Sequence, residues 1–264
     1  MGVWIGTCIN EAYVSQATRF LQSLQDNMPN VRRFCVCYGF RASSSLAQQY
    51  PDIDFRHLPS DIPKADCHGC IQHGPWVHAL DVADDDLLIL SDADVEVQRP
   101  FSFEEVGRFN EYGHRTFGLA QNADRDDTLL REYHRLKATV PLEVVQSQFG
   151  DLSVKCFNGG LMVSRVSGWR ALCEAFEEWW PMFSPLFQNR AKSQFLICWI
   201  LANMGFSIDE LPLSIHAHGH FGLPSGCRME NFDKLYYVDI LTVFKHHFPT
   251  ADVLKRMYGQ PSLA

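Results

Sequence analysis

Two aspartates separated by one residue follow the most apolar run of the sequence. Asp92 and Asp94 come directly after residues 87–90, Leu-Leu-Ile-Leu, which predict a strand buried on both faces. Two carboxylates that leave a strand into a turn can bind one hard divalent cation, which prefers oxygen ligands and also bridges phosphate oxygens. A solvated turn is the alternative, since short acidic motifs recur by chance in loops. Asp92 and Asp94 are therefore candidate metal ligands.

A second polar segment, Asn158-Gly159-Gly160, interrupts an otherwise apolar stretch. Two successive glycines permit close approach of the backbone to a ligand, and the amide of Asn158 both donates and accepts hydrogen bonds. A tight turn that enters a strand would use the same residue types. The segment is therefore a candidate binding loop.

Three histidines alternate along the chain at His216, His218 and His220, next to an apolar run that predicts a strand at 211–216. Side chains two residues apart share one face while the chain stays extended. Imidazole is a common metal ligand, although a single histidine usually is not one. The pattern predicts that at least one of the three binds the metal.

A Cys-x-x-Cys pair, Cys67 and Cys70, lies close to His73 and has the spacing of a zinc or redox site. A structural zinc normally takes four ligands from two separated pairs, and the sequence contains no second such pair. The favoured interpretation is a loop that packs over the binding site and leads into a helix through Trp76 and His78.

Apolar periodicity predicts the elements that position these residues. Strands are expected at 3–9, 33–38, 53–57, 87–90, 116–120, 160–164 and 211–216. Helices are expected at 11–27, 75–83, 125–137, 168–180 and 191–204. Strands that alternate with helices indicate an α/β fold with a mostly parallel sheet, and no repeat or linker divides the chain. In such sheets ligands bind beyond the carboxyl ends of the strands, where Asp92 and Asp94 lie.

Four segments resemble glycosyltransferases of the GT-A fold, in particular the retaining family 8. Residues 87–101 resemble the metal-binding signature, and residues 156–163 resemble the Phe-Asn-small-Gly-apolar segment. Residues 192–196 are similar to the Asp-Gln start of a helix, with Ser193 in place of the usual Asp. Residues 215–222 resemble the His-x-x-Gly element, although the Lys-Pro-Trp that follows it in the family is missing.

The resemblance implies one GT-A domain over residues 1–264, with a nucleotide-binding half at about 1–100, an acceptor half at about 101–224 and a carboxy-terminal extension at 225–264. It implies transfer of a sugar from a nucleotide diphosphate sugar with retention of configuration, and Mn2+ or Mg2+ as cofactor. It places Gln194 and Asn158 beside the reacting sugar, and His216 on the metal with His218 in reserve. The implied donor-binding residues are Thr7, Asn10, Tyr13, Asp92, Ala93, Gly159 and Gly160. His220 or Arg228 would replace the missing phosphate contact.

Other classes of protein remain open at this point. A nucleotidyltransferase would share the nucleotide-binding half, but residues 7–11 contain neither the glycine nor the lysine expected in its loop. A catalytically silent protein that binds sugar nucleotides or carbohydrates is a second alternative. A small zinc-dependent interaction module is the third.

Composition and net charge limit the classes of molecule that this protein is expected to bind. A net charge of −8 disfavours duplex nucleic acid, which requires a basic face. The odd number of cysteines, nine, favours a reducing cytoplasm, and we expect neither a signal peptide nor a membrane span. Saccharides, lipid-linked glycans, small molecules and proteins all remain possible acceptors.

Overall fold

The structure is a computed structural model. It describes residues 2–59, 75–93, 95–97, 99–101, 111–121, 128–136, 138–188, 192–211, 216–217 and 244–246.

Seven strands form one central sheet, and a second sheet of three short strands lies beside it. The strands in chain order are β1 Val3–Asn10, β2 Arg32–Tyr38, β3 Ile53–Leu58, β4 Leu87–Ser91, β5 Val95–Val97, β6 Thr116–Gln121, β7 Phe157–Arg165, β8 Ser207–Leu211, β9 His216–Ala217 and β10 Phe244–His246. The order in the central sheet is β3-β2-β1-β4-β7-β6-β8.

Helices connect these strands. The α-helices in the described part of the chain are α1 Val14–Asn27, α2 Ser44–Gln49, α3 Leu129–Arg135, α4 Leu142–Phe149, α5 Val166–Phe183 and α6 Lys192–Asn203. Short 3-10 helices occupy Glu11–Tyr13, Pro75–Ala79 and Ser184–Leu186. None of the helices in the described ranges has the length and apolar character that crossing a bilayer requires.

The central sheet is mostly parallel, as the alternation of elements predicts. The pairs β1–β2, β2–β3, β1–β4 and β6–β8 are parallel, whereas β7 pairs antiparallel with both β4 and β6. The amino end of β7 therefore meets the carboxyl ends of β4 and β6 at one edge of the sheet. This edge is called the carboxyl edge below.

Two apolar clusters cover the faces of the sheet. Alternation along β1 sends Ile5 and Ile9 to the face packed by α1, and Trp4 and Cys8 to the opposite face. Gly6 is required in β1 because a Cβ there would lie 2.2 Å from the carbonyl oxygen of Phe34. The rigid packing on both faces fixes the strand ends that carry the candidate site.

The helix predicted at 75–83 is wrong beyond its first turn, because the 3-10 helix ends at Ala79. The chain instead turns before β4: the backbone N–H of Asp86 donates to the carbonyl of Ala83 at 2.9 Å. The carboxylate of Asp86 also accepts from the N–H of Ala83 at 3.4 Å, which fixes the turn. The predicted helix at 125–137 is shorter in the described residues, at Leu129–Arg135.

The strand predicted at 211–216 is described only at its two ends, because residues 212–215 lie outside the described residues. Leu211 is the last residue of β8, which pairs with β6, and His216 is the first residue of β9. The helices α2 and α4 were not predicted.

The small sheet joins distant parts of the sequence. β10 lies between β5 and β9, antiparallel to β5 and parallel to β9. The segment 225–264, for which the sequence suggested no position, thus supplies a strand that pairs with β5. In the chain, β5 comes immediately after Asp92 and Asp94.

Candidate functional site

The carboxyl edge brings the end of β4 against the start of β7. The backbone N–H of Asp92 donates to the carbonyl of Gly160 at 2.9 Å, which extends the β4–β7 ladder by one step. The hydroxyl of Ser91 donates to the carbonyls of Asp92 (3.3 Å) and Gly160 (3.5 Å). Asp92 is half-buried and Ala93 is buried. Two segments about seventy residues apart in sequence therefore form one continuous surface.

The glycines belong to a bulge at the start of β7. Ala120 of β6 pairs with Asn158 and Leu119 pairs with Met162, so residues 159–161 lie between two successive pairs. We call these residues the β7 bulge. The side-chain oxygen of Asn158 accepts from the N–H of Gly160 at 2.8 Å and stabilises this conformation. Asn158 is thus inside a strand, at an irregularity, and only 7% exposed.

Gln194 contacts the same bulge from α6. Its Oε1 accepts from the backbone N–H of Gly159 at 3.3 Å. Ser193, its neighbour, is buried, whereas Gln194 is half-buried. Among the described residues, a Cβ added at Gly159 would meet Gln194 Oε1 at 4.0 Å and no closer atom, so these residues leave the space above Gly159 open. Asp92, Asn158 and Gln194, which the sequence selected separately, are therefore connected through the bulge.

Two buried thiols below this surface were not predicted to be part of the site. Cys198 accepts from the N–H of Phe157 at 3.2 Å, and its Sγ lies 3.9 Å from the Sγ of Cys156. Gln194 Nε2 donates to Cys156 at 3.7 Å. The available signal was the spacing of Gln194 and Cys198, which are four residues apart and so share one face of α6. From the sequence alone, these cysteines are expected only to pack as small apolar residues.

The residues predicted to bind the base and ribose lie in the carboxyl half of β1 and in the 3-10 helix that follows it. The side-chain oxygen of Asn10 accepts from the N–H of Ala12 at 3.0 Å and caps the 3-10 helix at Glu11–Tyr13. Tyr13 is half-buried against the α1 side of the sheet. Thr7 is fully buried, and its hydroxyl has no hydrogen-bond partner among the described residues. These residues lie on the same edge of the sheet as Asp92.

The predicted metal ligands are only partly described. Asp94 and His218 lie outside the described residues, as do Cys67, Cys70, His220 and Arg228. Within the described residues no three metal-ligating side chains come together. The backbone of His216 is placed in β9, where it pairs with Phe244 of β10. Phe244 pairs in turn with Val97, and His246 pairs with Val95, the residue after Asp94.

The chemistry of the donor set suits a hard divalent cation. A carboxylate at the carboxyl end of β4, a second one two residues later and histidines on neighbouring strands offer oxygen and nitrogen ligands that Mn2+ accepts. The β7 bulge next to Asp92 presents glycine backbone that a bulky ligand can approach. The residue types at this edge therefore fit a divalent cation, and the glycine backbone beside them fits a polar ligand.

The sheet order and the antiparallel β7 are those of the GT-A fold, which confirms the fold predicted from the four motifs. The galactosyltransferase LgtC, solved in complex with donor and acceptor sugar analogues, is similar with a TM-score of 0.57 and 15% identity, over 95% of this chain and 88% of that chain. An active-site mutant of LgtC is similar with a TM-score of 0.57, 14% identity and the same coverage of 95% and 88%. No protein-family model matches the sequence, and no curated protein matches it significantly.

Proposed function

We propose that this protein is a metal-dependent glycosyltransferase that moves a sugar from a nucleotide diphosphate sugar to an acceptor. The observation that carries the proposal is the connection of Asp92, the β7 bulge and Gln194 at the carboxyl edge. Each was selected from the sequence for a different contact to the same donor. Their arrival at one edge is what a single donor site requires.

The donor sugar would lie over the β7 bulge, where the described residues leave space above Gly159. Asn158 uses its side-chain oxygen to hold Gly160, which leaves Nδ2 to donate to a sugar hydroxyl. Gln194 reaches the bulge from the other side and would lie beside the reacting carbon. Retention of anomeric configuration is proposed because these two segments resemble the retaining family 8.

The nucleotide would lie along the ends of β1 and β4, with Asn10 and Tyr13 beside the base and ribose. Ala93 and Gly160 border the diphosphate in this arrangement. Thr7 is buried one position beyond the pair Gly6 and Leu90, so the nucleotide reaches its hydroxyl only if the strand end opens. We therefore assign base and ribose contacts to Asn10 and Tyr13 before Thr7.

Asp92 and Asp94 would hold the cation, Mn2+ or Mg2+, with a histidine as third ligand. The bound cation supplies positive charge that neutralises the leaving diphosphate. The chain carries a net charge of −8, so the site cannot rely on a general excess of basic residues to bind a diphosphate.

The direct test is slow hydrolysis of a panel of nucleotide sugars, which requires no known acceptor. The purified protein is assayed with manganese, with magnesium and with a chelator, beside Asp94→Asn. We expect release of a nucleoside diphosphate that depends on the metal and is lost in the variant. Release of pyrophosphate would instead identify a nucleotidyltransferase. Donor binding without turnover, with any acceptor class tried, would identify a silent binding protein, and the absence of both would refute the proposal.

The identity of the third metal ligand requires a separate test, because the register of the small sheet makes His246 a further candidate. His216 and His218 follow from the sequence, but β9 is two strands from β5, about 10 Å away. β10 is adjacent to β5, and its His246 pairs with Val95. The affinity for Mn2+ is measured by calorimetry in His216→Ala, His218→Ala and His246→Ala. The histidine whose replacement lowers the affinity at least about tenfold is the ligand.

A further inference from the structure

Cys156 and Cys198 form a hydrogen-bonded pair directly beneath the proposed sugar site. Both side chains are buried, at 0% and 2% exposure, and both are free thiols. Cys156 lies at the entry to β7 and Cys198 lies on α6, so the pair joins the two elements that carry Asn158 and Gln194.

Hydrogen bonds connect the pair to Gln194 and to Phe157. Gln194 Nε2 donates to Cys156 at 3.7 Å. The thiol of Cys156 has two acceptors within reach, Cys198 Sγ at 3.9 Å and the carbonyl of Phe157 at 4.0 Å, and the thiol of Cys198 donates to the same carbonyl at 3.6 Å. Cys198 also accepts from the N–H of Phe157 at 3.2 Å. Donation to Cys198, together with burial, raises the pKa of Cys156 well above its usual value, so that it remains a thiol at neutral pH.

This chain of contacts fixes the amide of Gln194. Oε1 accepts from the N–H of Gly159 while Nε2 points at Cys156. The reversed amide would direct an NH2 group at the N–H of Gly159, so two donors would face each other. One lone pair of Oε1 and one proton of Nε2 are then left, in a defined orientation, for a ligand above the bulge.

We propose that Cys156 and Cys198 are positioning residues, which hold the Gln194 amide and the β7 bulge in the orientation used for sugar transfer. The inference rests on the proposed function for its kinetic consequence. Its structural consequence, the protection of the Phe157 and Gly159 amides, does not depend on any activity.

The structural consequence is tested by amide hydrogen exchange in Cys156→Ala and Cys198→Ala. Cys173→Ala is the matched control, since Cys173 is equally buried but lies on α5. We expect Phe157 to exchange roughly tenfold faster in Cys198→Ala, and Gly159 in Cys156→Ala, because each loses a hydrogen bond or its support. Exchange no faster than in the control would overturn the proposal.

The kinetic consequence separates positioning from general stability. We expect Cys156→Ala to lower kcat about tenfold with donor KM changed less than about twofold, because a misoriented Gln194 affects the reacting carbon more than donor binding. Cys156→Ser, which keeps a donor and an acceptor, should recover most of kcat. Faster exchange with an unchanged kcat would overturn the positioning role, whereas a wild type without any turnover would refute the proposed function itself.

Discussion

Asp86 and Asp92 flank the same strand, β4, and have opposite surroundings. At the amino end, the carboxylate of Asp86 is 7% exposed and accepts from the N–H groups of Gly2 (2.5 Å), Trp4 (Nε1, 3.2 Å) and Ala83 (3.4 Å). At the carboxyl end, Asp92 is half-buried and is held by its backbone against the β7 bulge. The first aspartate connects the strand to its neighbours, and the second lies at the carboxyl edge, where we propose that it holds the cation. Residue type and strand are the same, so the environment decides the role.

The largest expected effect is on activity at the carboxyl end. Asp92→Asn keeps the side-chain shape but removes the charge needed to hold a divalent cation, so we expect metal-dependent donor hydrolysis to fall by at least about 100-fold. Circular dichroism should show an unchanged fold. Asp81→Asn, at an exposed aspartate before β4, is the control and should retain activity. Wild-type activity in Asp92→Asn would remove the distinction between the two ends of the strand.

The next effect is on stability at the amino end. In Asp86→Asn the new NH2 group faces the donors of Trp4 and Ala83, so we expect the free energy of unfolding to fall by about 2 kcal/mol. Urea denaturation measures this change, and the exposed Asp85→Asn is the matched control. The folded fraction should keep its kcat. A loss of kcat at unchanged stability would show that the amino end also serves the reaction.

Acid should act on the same group. Burial by itself raises the pKa of Asp86, but the hydrogen bonds from Gly2, Trp4 and Ala83 and the charge of Arg32 outweigh it and lower the pKa. A lowered folded pKa means that this stabilisation is complete above the unfolded value of about 3.9 and is lost as the pH falls through the folded pKa. Denaturation between about pH 5 and pH 2 should therefore show a smaller loss of stability in Asp86→Asn than in the wild type.

A smaller change tests whether the open space above Gly159 belongs to the donor. Among the described residues, the added Cβ of Gly159→Ala meets only Gln194 Oε1, at 4.0 Å, so we expect the thermal midpoint to stay near that of the wild type. If the sugar occupies this space, the added methyl group should lower kcat/KM about tenfold. Gly113→Ala, where a Cβ meets only Thr116 Oγ1 at 3.6 Å, is the control. Full activity in Gly159→Ala would place the sugar elsewhere.

The smallest effect concerns Thr7, whose buried hydroxyl has no partner among the described residues. Thr7→Val removes this hydroxyl at nearly constant shape, so we expect the free energy of unfolding to rise by about 1 kcal/mol. Chemical denaturation measures the rise, and the donor KM is measured beside it. An increased KM would show that the nucleotide reaches Thr7, which would extend the site from β4 to the interior of β1.

The local pattern of apolar residues was sufficient to predict much of the fold. β1, β2 and β4 were predicted to within two residues at either end, because strands buried on both faces give continuous apolar runs. The place of β7 in the sheet and its direction could not be predicted from this local pattern. It is as apolar as a parallel strand, yet it runs antiparallel between β4 and β6, because pairing direction depends on segments far apart in the chain.

The candidate site divides in the same way. Chemical type selected Asp92 and Asn158, which are polar side chains next to or within apolar strands, whereas Gln194 was selected by the resemblance of residues 192–196 to family 8. Type said nothing of Cys156 and Cys198, since a buried thiol has the same pattern whether it fills space or donates a hydrogen bond. Residue type also did not reveal that His246 pairs with Val95, because that pairing depends on how the carboxy-terminal strand returns to the sheet.

The sequence by itself determined which residues can do chemistry here and that an α/β sheet presents them, because side-chain type and apolar periodicity are properties of short segments. Only the tertiary structure decided which of them meet. The reversal of β7 brings its bulge to Asp92, α6 brings Gln194 and Cys198 to that bulge, and Asp86 is tied into the opposite end of β4. Contacts across more than thirty residues are set by packing of the whole sheet, which no local pattern contains.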